Sequence, residues 1–118
     1  MRTNGLICVA VVLLTTTALA ADPAAMKAEA NNAVTLGQSL VNEAERLLKG
    51  EKNFEALKVA LSLYARAGQS FEKAANLYRS LFPDYASKGD VENAAQAVDY
   101  CLAMMKDIRG HAGAPKSP

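Results

Sequence analysis

The sequence predicts an all-α protein folded as an antiparallel three-helix bundle. Three observations carry that prediction. Apolar residues recur at steps of three and four along three long segments. No segment shows the strict alternation of a half-buried strand. Turn-forming residues, Gly50 and the stretch from Pro83 to Gly89, separate the three segments by short connections, which makes consecutive helices antiparallel neighbours. At 118 residues the chain is long enough for one domain and too short for two.

The first 20 residues read as a targeting segment and not as part of the bundle. Arg2 supplies a positive start, Leu6 to Leu14 form an unbroken apolar run, and Ala18-Leu19-Ala20 gives the small-x-small pattern that signal peptidase accepts. Cleavage is expected between Ala20 and Ala21. The run is far shorter than the roughly 20 apolar residues that span a bilayer. Cys8 lies too early in it for a lipoprotein site. A periplasmic or secreted protein is implied, with no stable membrane insertion after cleavage. The expected organisation is a signal peptide at 1–20, a helical domain at 21–110 and a disordered tail at 111–118.

The first helical segment should run from Pro23 to about Lys49. Asp22 can cap the free amides, and Pro suits the first helical position. Met26, Ala30, Ala33, Gly37, Leu40, Ala44 and Leu47 make its stripe, widened by Val34, Leu36, Val41 and Leu48. Lys49-Gly50 reads as its stop. The second should run from Asn53, a cap, to Phe82. Phe54, Leu57, Leu61, Tyr64, Gly68, Phe71, Ala75, Tyr78 and Phe82 keep one phase throughout, and Pro83 ends it. A break at Gly68-Gln69-Ser70 would instead give two stacked helical hairpins with four helices. Unbroken phase favours one helix. The third should start at Asp90, after a Gly89 turn, and stop at Gly110. Its stripe is Val91, Ala94, Val98, Cys101, Met105 and Ile108. The tail from His111 to Pro118 is rich in Pro, Gly and small residues.

Many stripe positions are Ala or Gly, which allows close helix approach but buries little area per residue. Specific packing is therefore expected from Leu40, Leu47, Phe54, Leu61, Tyr64, Phe71 and Tyr78. The tyrosine hydroxyls should reach the rim. Cys101 is the only cysteine after cleavage, so no internal disulfide can form. On an apolar face it reads as a small buried side chain.

Charge excludes some partners. Lys and Arg total 13 and Asp and Glu total 12. With Arg2 in the leader the mature chain is balanced, and its charges are interspersed. That is no footprint for nucleic acid. Enzyme chemistry finds little support. The single His sits in the tail, Cys101 has no His to activate it, and no metal-ligand spacing or phosphate loop occurs. Glu43/Glu45 and Asp90/Glu92 are two apart on helices and read as solvated or first-turn charges.

The second helix carries one oddity. Ala56, Val59, Leu63 and Leu77 lie opposite its main stripe. A middle helix wedged between two neighbours would account for this. A patch for a partner protein or for self-association would also account for it. Arg66, Ser70 and Lys73 confine any patch to the Val59 and Leu63 end. Phe82 and Tyr85, flanking Pro83, form a second candidate contact, with packing over the bundle end as the plainer reading.

Two resemblances bear on function. Gly50 to Ala67 and Lys88 to Met104 each show Gly, a polar turn, then a hydrophobic residue and Ala at similar offsets. They resemble the inter-helix junction of the tetratricopeptide hairpin, which would imply a peptide- or protein-binding groove. Gly50 and Gly89 are 39 residues apart and the chain has no Trp, whereas that family repeats at about 34 residues with a signature Trp. The segments are therefore read as ordinary helical turns. Met26 near the mature N-terminus and His111 near the C-terminus are similar to the ligand placement of periplasmic four-helix cytochromes. That resemblance implies a haem with Met and His axial ligands. Against it, Gly110 directly precedes His111, and Met26 is in phase with the core stripe. The expectation is a non-catalytic, cofactor-free binding or accessory protein of the bacterial envelope, such as an accessory subunit, an immunity protein or a small chaperone. Haem carriage is the alternative.

Overall fold

The computed structural model describes residues 22–50 and 53–113. Residues 1–20, expected from the sequence to be a signal peptide, lie outside them. Three helices follow in order: α1 (Pro23–Lys49), α2 (Phe54–Leu81) and α3 (Lys88–Gly113). They run up, down and up, and α1 and α3 each pack along α2. This is the antiparallel three-helix bundle, with α2 in the middle. Among the described residues no helix is long and apolar enough to cross a membrane.

The helix starts follow from local chemistry. Asp22 Oδ1 accepts the Ala24 amide at 3.0 Å, with Pro23 at the first helical position. Asn53 Oδ1 accepts the Ala56 amide at 2.8 Å. Each cap satisfies a donor that would otherwise face no intrahelical partner. The α1 helix ends as expected, with the Gly50 amide turned back to the Leu47 carbonyl at 3.2 Å. The α2 helix is unbroken through Gly68, so the four-helix alternative does not occur. It stops at Leu81, ahead of a cis Phe82–Pro83 peptide.

The start of α3 departs from expectation. The cap is Ser87 and not Asp90. Ser87 Oγ accepts the Asp90 amide at 3.0 Å, and Asp90 Oδ2 accepts the Ser87 amide at 3.0 Å. This reciprocal pair is a capping box with Asp in the place of the usual Glu or Gln. Gly89 therefore lies inside the first turn. At the other end α3 continues through Gly110 to Gly113, past the expected stop, and only 114–118 of the expected tail falls outside the described residues.

Two apolar clusters stack along the bundle. One gathers Ala30, Ala33, Ala74, Ala75, Tyr78, Leu81, Ala86 and Ala94 near the start of α1. The other gathers Val41, Ala44, Ala60, Tyr64, Ala67, Phe71, Cys101 and Ile108. Among the described residues nine of the sixteen buried hydrophobic side chains are alanine, so the helices sit close and few large side chains set the packing. Tyr64, Phe71 and Tyr78 do so, as expected. Leu40, Leu47 and Leu61 are only half-buried. Phe54 is 66 % exposed, because it opens α2 at the end of the bundle, beyond the layer that Leu57 and Ile108 close.

The tightest point lies between α1 and α2. A β-carbon placed on Gly37 would come within 2.8 Å of the Phe71 ring. Phe71 thus fills the space that a side chain at 37 would take. Next to it Ser70 Oγ donates to the Ala33 carbonyl at 2.6 Å, a buried cross-link between helices. Gly68 differs: a β-carbon there would stand 3.5 Å from Cys101 Cβ, an ordinary contact.

Two predictions follow from this packing. Gly37→Ala should destabilise the fold by about 1–3 kcal/mol through overpacking, despite Ala being the better helix former. Gly68→Ala should be neutral or stabilising by up to about 1 kcal/mol. Urea unfolding followed by circular dichroism measures both, and equal losses would contradict the packing described. The Ser87–Asp90 box should contribute about 1 kcal/mol. Asp90's carboxyl is held below the usual Asp range, first by the Ser87 amide, then by the Ser87 hydroxyl and Lys27. The contribution is therefore present above the unfolded-state Asp pKa and is lost as pH falls through the lower native value. The melting-temperature gap between wild type and Asp90→Ala should be open at neutral pH and close in strong acid.

Candidate interaction face

The α1 and α2 helices form a shallow groove on the side away from α3. Its volume is about 440 Å³, and it is lined by Glu29, Asn32, Ala33, Leu36, Leu40, Arg66, Gln69, Ser70 and Lys73. The lining residues fall on heptad-like stripes. On α1 they step through 29, 33, 36 and 40, and on α2 through 66, 70 and 73. Extending the α2 stripe backwards by the same steps reaches Leu63 and Val59. Those two residues lie beyond the lining of the groove itself.

Exposure divides its members. Leu36 is 52 % and Val59 47 % exposed. Leu40 and Leu63 are half-buried and pack against the second core cluster. Leu63 therefore belongs partly to the core, while Val59 is free surface. Leu36 was expected to widen the core stripe. It instead lies outside, since Gly37 and Ala33 take the contact line with α2. Arg66, Ser70 and Lys73, expected to confine any patch to the Val59 and Leu63 end, line the α2 side of the groove, with Ser70 turned inward to Ala33 and Lys73 paired to Glu29 at 2.9 Å. Leu36, Leu40 and Arg66 escaped the sequence reading because their shared face depends on how α1 is rotated against α2.

Phe82 and Tyr85 are 47 % and 55 % exposed and do not pack over the bundle end. Ala86 enters the core in their place. Phe82 borders a recess of about 330 Å³ with Arg79, Lys88, Val91 and Glu92. This corner lies beside the α2–α3 turn and is separate from the α1–α2 groove.

The polar residues are largely engaged in holding helices together. Tyr100 of α3 donates to Glu45 Oε2 of α1 at 2.6 Å. That carboxylate and burial push the Tyr100 hydroxyl pKa well up. Glu45, expected as a solvated charge, is a tie between helices. Lys27 of α1 meets Asp90 of α3 at 3.7 Å at the other end. Tyr78 donates to Asn31, as a rim-reaching tyrosine should. Tyr64 does not reach the rim. Tyr100 stands edge-on across it, with ring centroids 6.2 Å apart. The Tyr64 hydroxyl is enclosed and, among the described residues, has no partner in good hydrogen-bond geometry; burial raises its pKa, and the neighbouring Tyr100 hydroxyl offsets part of that rise. Cys101 is fully buried, and desolvation pushes its thiol pKa up as well, so the reactive thiolate is disfavoured.

Met26 and His111 are not brought together. Met26 lies in the first turns of α1, packed against the first core cluster. His111 lies in the last turn of α3. Since α1 and α3 run in the same direction, with Lys27 beside Asp90, the two positions stand at opposite ends of the bundle. They cannot be axial ligands of one haem. The two segments that resemble tetratricopeptide junctions are the two turns of the bundle with their following helices. The single helix α2 serves both hairpins, whereas each tetratricopeptide repeat has its own pair. Comparison with protein-family models, with curated proteins and with solved structures finds no match to this chain.

Two substitutions test the enclosed layer. Tyr64→Phe should be neutral or stabilising, because it removes a hydroxyl whose burial without a partner costs about 1–3 kcal/mol. Cys101→Ser should cost about 1 kcal/mol or more, since it buries a hydroxyl in the same apolar surroundings. Thermal melts of the two variants should move in opposite directions or leave Tyr64→Phe unchanged. A large loss for Tyr64→Phe would mean that its hydroxyl is bonded.

Proposed function

We propose that this chain is an exported, non-catalytic helical protein of the bacterial envelope that works by protein contact through the α1–α2 face. The observation that carries the reading is the exposure of two large apolar side chains, Leu36 and Val59, both about half exposed, with half-buried Leu40 and Leu63 on heptad-like stripes of adjacent helices. Such a face matches the groove into which an amphipathic helix lays its apolar side. Export is supported by residues 1–20, which carry the charge, apolar run and cleavage pattern of a signal peptide. The non-catalytic part of the reading is supported by the employment of the polar side chains. Glu45, Tyr100, Asn31, Tyr78, Ser70, Lys27 and Asp90 are bonded to one another or to backbone across helix boundaries. An accessory subunit, an immunity protein and a small chaperone all fit this description.

Site-specific photocrosslinking in exporting cells tests it. A photoreactive residue at position 36 or 59 should give a discrete adduct heavier than the monomer. The same residue at position 102, exposed on α3, should give none. Adducts from position 102 with silence at 36 and 59 would contradict the assigned face. Retention of the uncleaved chain in the cytoplasm would contradict export.

A further inference from the structure

We propose that the α1–α2 groove receives an amphipathic helix of a partner protein that carries a carboxylate, with Arg66 as the residue that meets it. The inference deepens the contact reading above and rests on it.

The polar groups of the groove divide into used and unused. Glu29 and Lys73, one from each wall, meet at 2.9 Å and cancel. The Ser70 hydroxyl is spent on the Ala33 carbonyl. Among the described residues Arg66 has no ion pair and no hydrogen bond, and the amides of Asn32 and Gln69 are equally uncommitted. The groove thus holds one unbalanced positive charge, two neutral amides and no free carboxylate. A guanidinium presents paired N–H donors whose geometry matches a carboxylate. This chain places none opposite Arg66, so the complement that the groove calls for is an acidic group of another molecule.

Register sets where that group must stand. The Glu29–Lys73 ion pair and the Ser70–Ala33 hydrogen bond fix which residues of α1 and α2 share a height. Carrying that pairing along both helices puts Leu36 level with Arg66, and Leu40 level with Leu63. The cation and the next apolar contact, at Leu40, are therefore about one helical turn apart, roughly 6 Å. An acidic and an apolar residue at i and i+4 on one face of a helix have that spacing. The lining covers positions 29 to 40 of α1, about 16 Å or three turns, which gives a short helical segment room to lie along it.

Apolar and polar contacts support each other in this arrangement. Partner side chains seated on Leu36 and Leu40 keep water from Arg66, and a charge contact shielded in this way counts for more than a pair on open surface. Ser70 in the floor already has its acceptor, so covering it leaves no hydroxyl without a partner.

An NMR titration of the protein purified from cells expressing the full chain tests the proposal. The probe is a synthetic helix of Ala and Gln with two Leu one turn apart and a Glu one turn further along the same face. Control peptides carry Gln or Lys in place of that Glu. The Glu peptide should shift the amides around Leu36, Leu40 and Arg66. It should bind about fivefold or more tightly than the Gln peptide, with the Lys peptide weakest. The preference should shrink at high salt and vanish in Arg66→Gln. Arg66 is exposed, so this variant should keep its helicity. Equal binding of the three peptides, a preference for Lys, or no binding of the Glu peptide would overturn the proposal. So would shifts of the same amides on concentrating the protein alone, since a second copy would then cover the groove. In each of these cases a crosslink from position 36 to another protein in cells leaves the contact reading standing, whereas silence at 36 and 59 removes that reading as well.

Discussion

The close approach of α1 and α2 at Gly37 and Phe71 is the constraint on which the rest of the structure depends. The absent side chain at 37 lets the Phe71 ring lie against the α1 backbone. Ala30, Ala33 and Ala44 on one helix, and Ala60, Ala67 and Ala74 on the other, carry the same closeness along the pair. At such separation each methyl contributes little transfer free energy, but dispersion contacts are many. The Ser70 bond to the Ala33 carbonyl then pins the sliding register. With α1 and α2 locked, the turned-out residues of both, Leu36 and Arg66 among them, have one shared face. With α1 and α2 more widely spaced, those residues would not line one groove.

The α3 helix joins this pair by different means. Its apolar side meets α2 through Cys101, Ala94 and Ile108, and it reaches α1 through longer polar side chains at the two ends. Lys27–Asp90 and Tyr100–Glu45 are exposed enough that each contributes about 1 kcal/mol or less. They orient α3 more than they hold it. The weight falls on the apolar layers and on Tyr64, which fills the space between the three helices while leaving its own hydroxyl without a partner. An enclosed orphan hydroxyl in the middle of the bundle is a cost that the surrounding packing offsets.

Most of the architecture was legible in the residues. Asp22-Pro23, Gly50, Asn53 and Pro83 punctuate the chain through local chemistry that needs no tertiary information, and the helices begin or end at them. Unbroken phase through Gly68 was the right guide to a continuous α2, because burial on one side outweighs the helix weakness of a single Gly. Ser87-Lys88-Gly89-Asp90 carried a readable box, but Gly89-Asp90 also looks like a turn and a cap, and the two patterns overlap. Gly110 looked like a stop, but glycine only weakens a helix, and here the helix continues. Phe54 and Leu36 misled for one reason. Periodicity gives a residue's angle on its own helix, not its height in the bundle or the rotation of its neighbour. The groove was hidden for the same reason. Val59 and Leu63 could be seen on α2 alone but lie beyond its lining, whereas Leu36, Leu40 and Arg66 became that lining only when α1 and α2 were set side by side.

The most direct test of the account is residue-resolved amide hydrogen exchange under native conditions. If the α1–α2 contact organises the bundle, the amides around Gly37 in α1 and from Ala67 to Ala75 in α2 should share the slowest exchange, opening only with global unfolding. The halves of α2 on either side of Gly68 should be protected alike, and the ends of α1 and α3 should open first. Independent opening of the two halves of α2, or slowest exchange in α3 with α1 unprotected, would contradict the account and make α3 the organising helix.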